Sequence, residues 1–288
     1  MNNINNSIIF GSTRLQFVTS VGYLGPEATF SHQVASMLYS GDTVLKGAET
    51  IEDVFIMLKN GECEEGVVPI ENSYEGTVNI AQDFLNKYDA NISTEIYLRI
   101  RQNLLSREKN IKNIKRVYSH PQAIAQCRSW IKTSLPDVSV AEVASTSLAA
   151  KMASKEMNTA AIGSSFAAST YGLNILNDNI EDDQENVTRF FIIGDHRPQP
   201  TGKDKTSIIF FLKHEPGSLY KCLSVLAERE VNLTRIESRP AKTKNWEYIF
   251  FVDLEGHEQD NKVSEALGDM EKYCVFLKKL GSYPRGDI

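Results

Sequence analysis

At 288 residues the chain is long enough for two domains, each with its own buried core. With 41% hydrophobic and 24% charged residues it is ordinary globular material, which excludes disordered and collagen-like classes. A net charge of -6 with a pI near 5.5 argues against a nucleic-acid binder, while local arginines and helix ends can still hold an anionic substrate.

The four cysteines at 63, 127, 222 and 274 form no CxxC or zinc-knuckle spacing, so reduced thiols in a cytoplasmic protein are expected. Apolar runs are strand-length, and no membrane-spanning helix is predicted. "MNNINNSIIFGSTRLQFVTS" has no basic leader pattern, and residues 1–18 read as a polar extension.

From Val18 to Asp195 a short apolar strand repeatedly runs into a polar or glycine-bearing loop that opens an amphipathic helix. The segments in order are "VGYLGPEATFSHQVASML", "GVVPIENSYEGTVNIAQDFLNKY", "RVYSHPQAIAQCRSWI", "VSVAEVASTSLAAKMAS" and "TAAIGSSFAASTYGL". This alternation predicts α/β units. In "SHPQ", Ser119 and Gln122 fit a capping box around Pro121. Thr77 is placed to cap the helix carrying Ala81 and Leu85, and Gly172 fits a helix C-cap. Such helix starts leave N–H groups that attract anions.

"ENVTRFFIIG" (185–194) is a buried strand with Thr188 and Arg189 at its head. An arginine there needs an anionic partner, from the protein or from a ligand. "HRPQPTGKDKT" then reads as a linker. Beyond it, "TSIIFFL", "GSLYKCLSVLAERE", "VNLTRIESRP", the turn "AKTKN", "EYIFFVDLEG", "NKVSEALGDMEKY" and "CVFLKKLGSYP" give the order βαββαβ, an α+β ferredoxin-like sandwich.

Taken together, "GYLGPEATFS", "VVPIENSYEGTVN", "YSHPQAIAQC", "STSLAA", "AAIGSSFAASTYGL", "NVTRFFIIG" and "VNLTRIESRP" resemble, in order and spacing, the prephenate dehydratases that end in an ACT regulatory domain. The resemblance covers about Val21 to Tyr283. It implies a two-lobed, periplasmic-binding-protein-like α/β catalytic domain at 19–199, a linker at 200–205 and an ACT domain at 206–288. The chorismate mutase region fused to some relatives is not expected, since no long helical segment precedes residue 20.

The implied activity is the elimination of water and carbon dioxide from prephenate to give phenylpyruvate in phenylalanine synthesis. No redox step occurs, so no cofactor and no metal are expected. The site must hold two carboxylates and help hydroxide leave. The resemblance marks Thr188 as essential, a hydrogen-bond donor to the departing hydroxyl. Arg189 offers a planar fork to a carboxylate, yet neighbours on a regular strand face opposite ways. Either the strand ends or twists there, or Arg189 organises the site from behind. Glu71 and His120 complete the candidate catalytic set, each a possible proton donor.

Asn72, Ser73, Gly76, Thr77, Ser119, Thr29, Phe30 and Phe190 are the candidate substrate-binding residues. His32 reads as structural, and Ser145 and Thr146 read as caps before anion donors. In the ACT part, Gly217, Ser218, Leu219, Asn232, Leu233, Glu237 and Ser238 are expected to bind phenylalanine across a dimer interface. Ser218 and Tyr220 depart from the Ala and Val usual in relatives. A homodimer or homotetramer is expected. The sequence leaves open an arogenate dehydratase and a non-catalytic amino-acid sensor.

Overall fold

The computed structural model describes residues 18–240 and 248–287; the polar extension to residue 17 and the "AKTKN" turn lie outside the described residues. The first lobe runs β1 (Ser20–Leu24), α1 (Phe30–Leu38), β2 (Val44–Ala48), α2 (Ile51–Lys59), β3 (Glu65–Asn72), β4 (Gly76–Thr77), α3 (Asn79–Lys87) and β5 (Asn91–Arg99). The chain then crosses to build the second lobe. Its elements are β6 (Asn103–Ser106), β7 (Arg116–Ser119), α4 (Pro121–Gln126), α5 (Arg128–Ser134), β8 (Ser139–Glu142), α6 (Thr146–Ala153), β9 (Thr159–Gly163), α7 (Ser165–Tyr171) and β10 (Asn174–Asn177). It returns as β11 (Val187–Gly194), which inserts between β3 and β5.

The first sheet has the order β2-β1-β3-β11-β5, and the second β10-β6-β9-β7-β8. The two crossovers are tied together where Ile100 N–H donates to the Asn186 carbonyl at 2.8 Å. A two-lobed α/β architecture with a double crossover follows. One face of the first sheet packs Val21, Val67, Phe190 and Ile192 under α1. The other face turns Val68, Ile70, Phe191 and Ile193 toward α2 and α3.

The C-terminal unit consists of β12 (Asp204–Leu212), α8 (Ser218–Glu228), β13 (Leu233–Pro240), β14 (Tyr248–Glu255), α9 (Asn261–Glu271) and β15 (Cys274–Pro284). The sheet order β13-β14-β12-β15 is the ferredoxin-like βαββαβ arrangement expected. β12 begins at Asp204, inside the stretch read as linker. Thr201 and Gly202 N–H groups donate to the Asp204 carboxylate and fold that stretch into the strand's entry.

This unit does not stand apart. Its helix-free sheet face puts Ile209, Ile249, Phe251 and Leu280 into one continuous core with Ile70, Phe191 and Ile193 of the first lobe. Lys278 caps the arrangement, donating to the carbonyls of Leu85 at 2.9 Å and Tyr88 at 2.6 Å. Among the described residues no helix is long and apolar enough to cross a membrane.

Candidate active site

β3 and β11 run antiparallel, with Asn72 opposite Thr188 and Glu71 opposite Arg189. Regular alternation along β3 would put Asn72 on the face of Val68 and Ile70. The register shifts by one residue between Arg189 and Phe190, so Ile70 bulges out of the ladder. Its carbonyl accepts from Val78 N–H instead. Ile70 and Glu71 therefore share one face, toward the C-terminal unit, and Asn72 turns to the other. Pro69, which can donate no ladder bond, was the signal in the sequence for this bulge.

On the cleft side, Thr188 lies two residues past the tied crossover and is 9% exposed. Asn72 Nδ2 donates to its Oγ1 at 2.9 Å and to Asn186 Oδ1 at 2.8 Å. Asn72 Oδ1 accepts from the N–H groups of Tyr74 and Glu75, which fixes the amide. Asn186 was not foreseen. The Ser73 hydroxyl accepts from Val187 N–H at 3.0 Å and closes the hairpin over the strand head. Gly76, with φ +77, makes the turn that returns β4.

From the second lobe, Ser119 ends β7 and His120 follows it. Asn103, just past the crossover, pairs with Gly163, so this end of the second sheet faces the first lobe. The capping box read from the sequence is not formed. Ser119 is fully buried and donates to the Ile162 carbonyl at 2.8 Å. His120 itself is the N-cap of α4, its Nδ1 accepting from Gln122 N–H at 3.3 Å. With Nδ1 filled, the neutral ring carries its proton on Nε2.

The lobes meet along the loop after β1. Tyr171 Oη donates to the Glu27 carbonyl at 3.2 Å, and the Ser147 hydroxyl donates to the same oxygen. Thr29 caps α1 and donates to the Leu24 carbonyl at 2.8 Å. Phe30 packs against the α1-side core. His32 stacks on Tyr23 and meets Phe166 of the second lobe edge-on. Burial lowers the His32 pKa, which Glu27 offsets in part, and the ring stays neutral at this contact. Ser145 caps α6 as expected. Phe190 does not wall the cleft: one residue beyond the bulge, it lies 1% exposed in the core.

Behind the sheet, Arg189 is enclosed by protein. Its Nε donates to Glu95 Oε2 at 2.9 Å, Nη1 to Asp253 Oδ2 at 2.6 Å and Nη2 to Tyr283 Oη at 3.1 Å. Of the two ways out for a Thr-Arg pair, the strand takes the one in which Arg189 stands behind. Burial alone would raise the Asp253 carboxyl; Arg189 outweighs it and holds the group below the usual carboxylate range. Glu71 also faces this side, its Oε2 accepting from Arg235 Nε at 3.0 Å, and so is not brought to Thr188. Thr77 caps no helix: α3 starts after Val78 without a side-chain cap, and the Thr77 hydroxyl donates to Glu237.

In the C-terminal unit, Gly217 takes φ +82 ahead of α8. Ser218 and Leu219 line a cavity of ≈ 140 Å³ with Lys213, Tyr248 and Phe250. Ser238 lies beside Phe250 on the neighbouring strand. Asn232 and Leu233 enter β13, Leu233 against the helix-side core. Glu237 points the other way, to Arg235 on its own strand and to Thr77 and Gln82 of the first lobe. A cavity of ≈ 1170 Å³ around Glu65, Gly194 and His196 is at the opposite end of β11 from Thr188. Among the described residues no cluster of side chains is suited to a metal.

Comparison with known proteins identifies the family. Residues 21–198 match the family model for prephenate dehydratase, and 206–271 that for the ACT domain. The chain is 46% identical to a bifunctional chorismate mutase/prephenate dehydratase of Aquifex aeolicus, over 98% of this chain and 78% of that protein. It is 41% identical to a prephenate dehydratase of Methanocaldococcus jannaschii, over 92% and 98%. A solved prephenate dehydratase of Arthrobacter aurescens, in complex with L-Phe, superposes with a TM-score of 0.84 at 33% identity, covering 92% of this chain and 90% of that one. The chain belongs to the prephenate dehydratase family, hydro-lyases of phenylalanine biosynthesis, and carries the C-terminal ACT domain of its regulated members.

Proposed function

We propose that prephenate lies in the cleft between the lobes, with its ring hydroxyl against Thr188. The carrying observation is the state of that hydroxyl. Its oxygen already accepts from Asn72 Nδ2, and no described residue accepts its hydrogen. Thr188 is thus set to donate to a leaving oxygen. The C–O bond to the ring hydroxyl breaks. The bond to the ring carboxylate breaks with it, its electron pair enters the ring, and carbon dioxide departs. One proton converts the leaving hydroxide to water. Solvent on the cleft side can supply it: the neutral His120 ring has only a hydrogen bond to offer from Nε2, and Glu71 faces the ACT domain.

Phenylalanine is the effector in this reading, taken up at Gly217, Ser218 and Leu219 and lowering turnover by favouring a less active state. The exposed Tyr220, Ile236 and Tyr248, with the open outer edge of β13 among the described strands, support pairing of ACT domains in a homodimer or larger homo-oligomer.

The test is phenylpyruvate release from prephenate, with arogenate in parallel and phenylalanine titrated in. Thr188→Val is expected to lower kcat by about 100-fold or more, with the circular dichroism spectrum retained. Near-normal turnover in that variant would remove Thr188 from the chemistry. Turnover of arogenate alone would change the substrate, and turnover of neither would leave an amino-acid sensor.

A further inference from the structure

We infer that Asp253 and Arg235, both in the ACT domain, are positioning residues for the elimination: from behind the sheet they hold the two strand ends that present Thr188 and Asn72. The inference rests on the reading of Thr188 given above.

The bulge at Ile70 is what creates the arrangement. It puts the facing pair Asn72 and Thr188 on the cleft side and the facing pair Glu71 and Arg189 behind them. Each rear residue is one peptide from a cleft residue, and each is gripped by the ACT domain. Arg189 is 4% exposed, and its Nη1 and Nη2 go to Asp253 and Tyr283. That grip is itself braced. Ser207 donates to the second oxygen of Asp253 at 2.5 Å and lies 2.6 Å from Tyr283 Oη. Lys205 Nζ, 2.8 Å from Glu95 Oε1, balances the remaining carboxylate. Arg189 and Lys205 against Glu95 and Asp253 make a neutral set, two of whose four members belong to each domain.

The second grip is at the hairpin. Arg235 Nε holds Glu71 at 3.0 Å and Nη2 holds the Thr77 hydroxyl at 2.8 Å, so both strands of the turn carrying Asn72 and Ser73 are fixed to β13. The same guanidinium pairs with Glu237, one residue from Ser238. A shift of β13 or β14 is therefore carried by two arginines to the two groups at the cleft. Buried polar networks of this kind have discrete arrangements and do not deform smoothly, and small misplacements at a reacting centre are costly in rate.

Steady-state kinetics of the full-length Asp253→Asn and Arg235→Gln variants test this. Each is expected to lower kcat about tenfold while KM for prephenate moves less than about twofold, since the loss is in alignment and not in contact with substrate. A double variant, Arg189→Met with Asp253→Asn, is expected to be no slower than Arg189→Met alone, because Asp253 acts only through that guanidinium. Wild-type kcat in both single variants overturns the inference, as does a full additive loss in the double. If Asp253→Asn fails to fold by circular dichroism, the part-buried Arg235→Gln decides alone. Thr188→Val, run beside them, separates the two readings. If it stays active the chemistry is misassigned; if it is dead while Asp253→Asn and Arg235→Gln are normal, only the positioning fails.

Discussion

A single residue shows best how burial sets chemistry here. Glu65 is 4% exposed and accepts a hydrogen bond from the Tyr39 hydroxyl. Burial pushes its carboxyl up, and Tyr39 and His196 offset this only in part. The folded state thus holds the Glu65 proton more tightly than the unfolded chain. The stability this contributes is complete below the ordinary Glu value of about 4.3 and is lost as pH rises through the higher folded value. Glu65→Gln, which can still accept from Tyr39, is expected to raise the melting midpoint at neutral pH, with the gain shrinking toward pH ~4. A gain that is flat with pH would mean that Glu65 is not a strained carboxylate. By residue type alone Thr188 and Arg189 read as a strand threonine beside a structural ion pair; only the ordered set of motifs singled them out. The partners of Arg189 were not legible, because Glu95, Asp253 and Tyr283 lie 94, 64 and 94 residues away.

At the scale of elements, periodicity located β1, β3, β7, β8 and β9 with the helices that follow them, β11, and βαββαβ in the last third, but not β2, α2, β5, β6 or β10. Junctions also failed, where one residue changes the outcome. Ser119 prefers a buried carbonyl to a helix N–H, so the cap passes to His120. Thr77 bonds across domains and caps nothing. Glu71 read as a candidate acid because it is the carboxyl at the head of the Asn72–Ser73 loop; the bulge at Ile70 turns it toward the ACT domain. Gly281 in β15 is a further case of local geometry serving long-range packing. It has φ +142, and a Cβ there would run into the carbonyl oxygen of Ile92 at the head of β5. Gly281→Ala is expected to cost on the order of 3 kcal/mol, read by urea denaturation, because both the backbone and the seam must move. A cost below about 0.5 kcal/mol would show that the seam is loose.

For the whole molecule, the boundary between domains is a boundary in sequence and not in packing. Ile209, Ile249 and Phe251 share a core with Ile70, Phe191 and Ile193, so the ACT domain and first lobe are expected to unfold together. Removing residues 204–288 uncovers that face and the Arg189 guanidinium. The remainder is expected to melt at least about 10 °C lower and to bind an apolar dye; an unchanged midpoint would mean the two units are thermodynamically separate. β11 has one more consequence, for the order of assembly during synthesis. It is the strand between β3 and β5, yet about 90 residues of second lobe are made before it. A nascent chain ending near residue 185 holds β3 and β5 with no strand between them, and so two bare ladder edges in search of a partner. The second lobe can close on its own, while the first waits for the segment that carries Thr188. Thr188 therefore enters the protein on the strand that completes its sheet, and a chain whose first sheet has closed has already placed its hydroxyl.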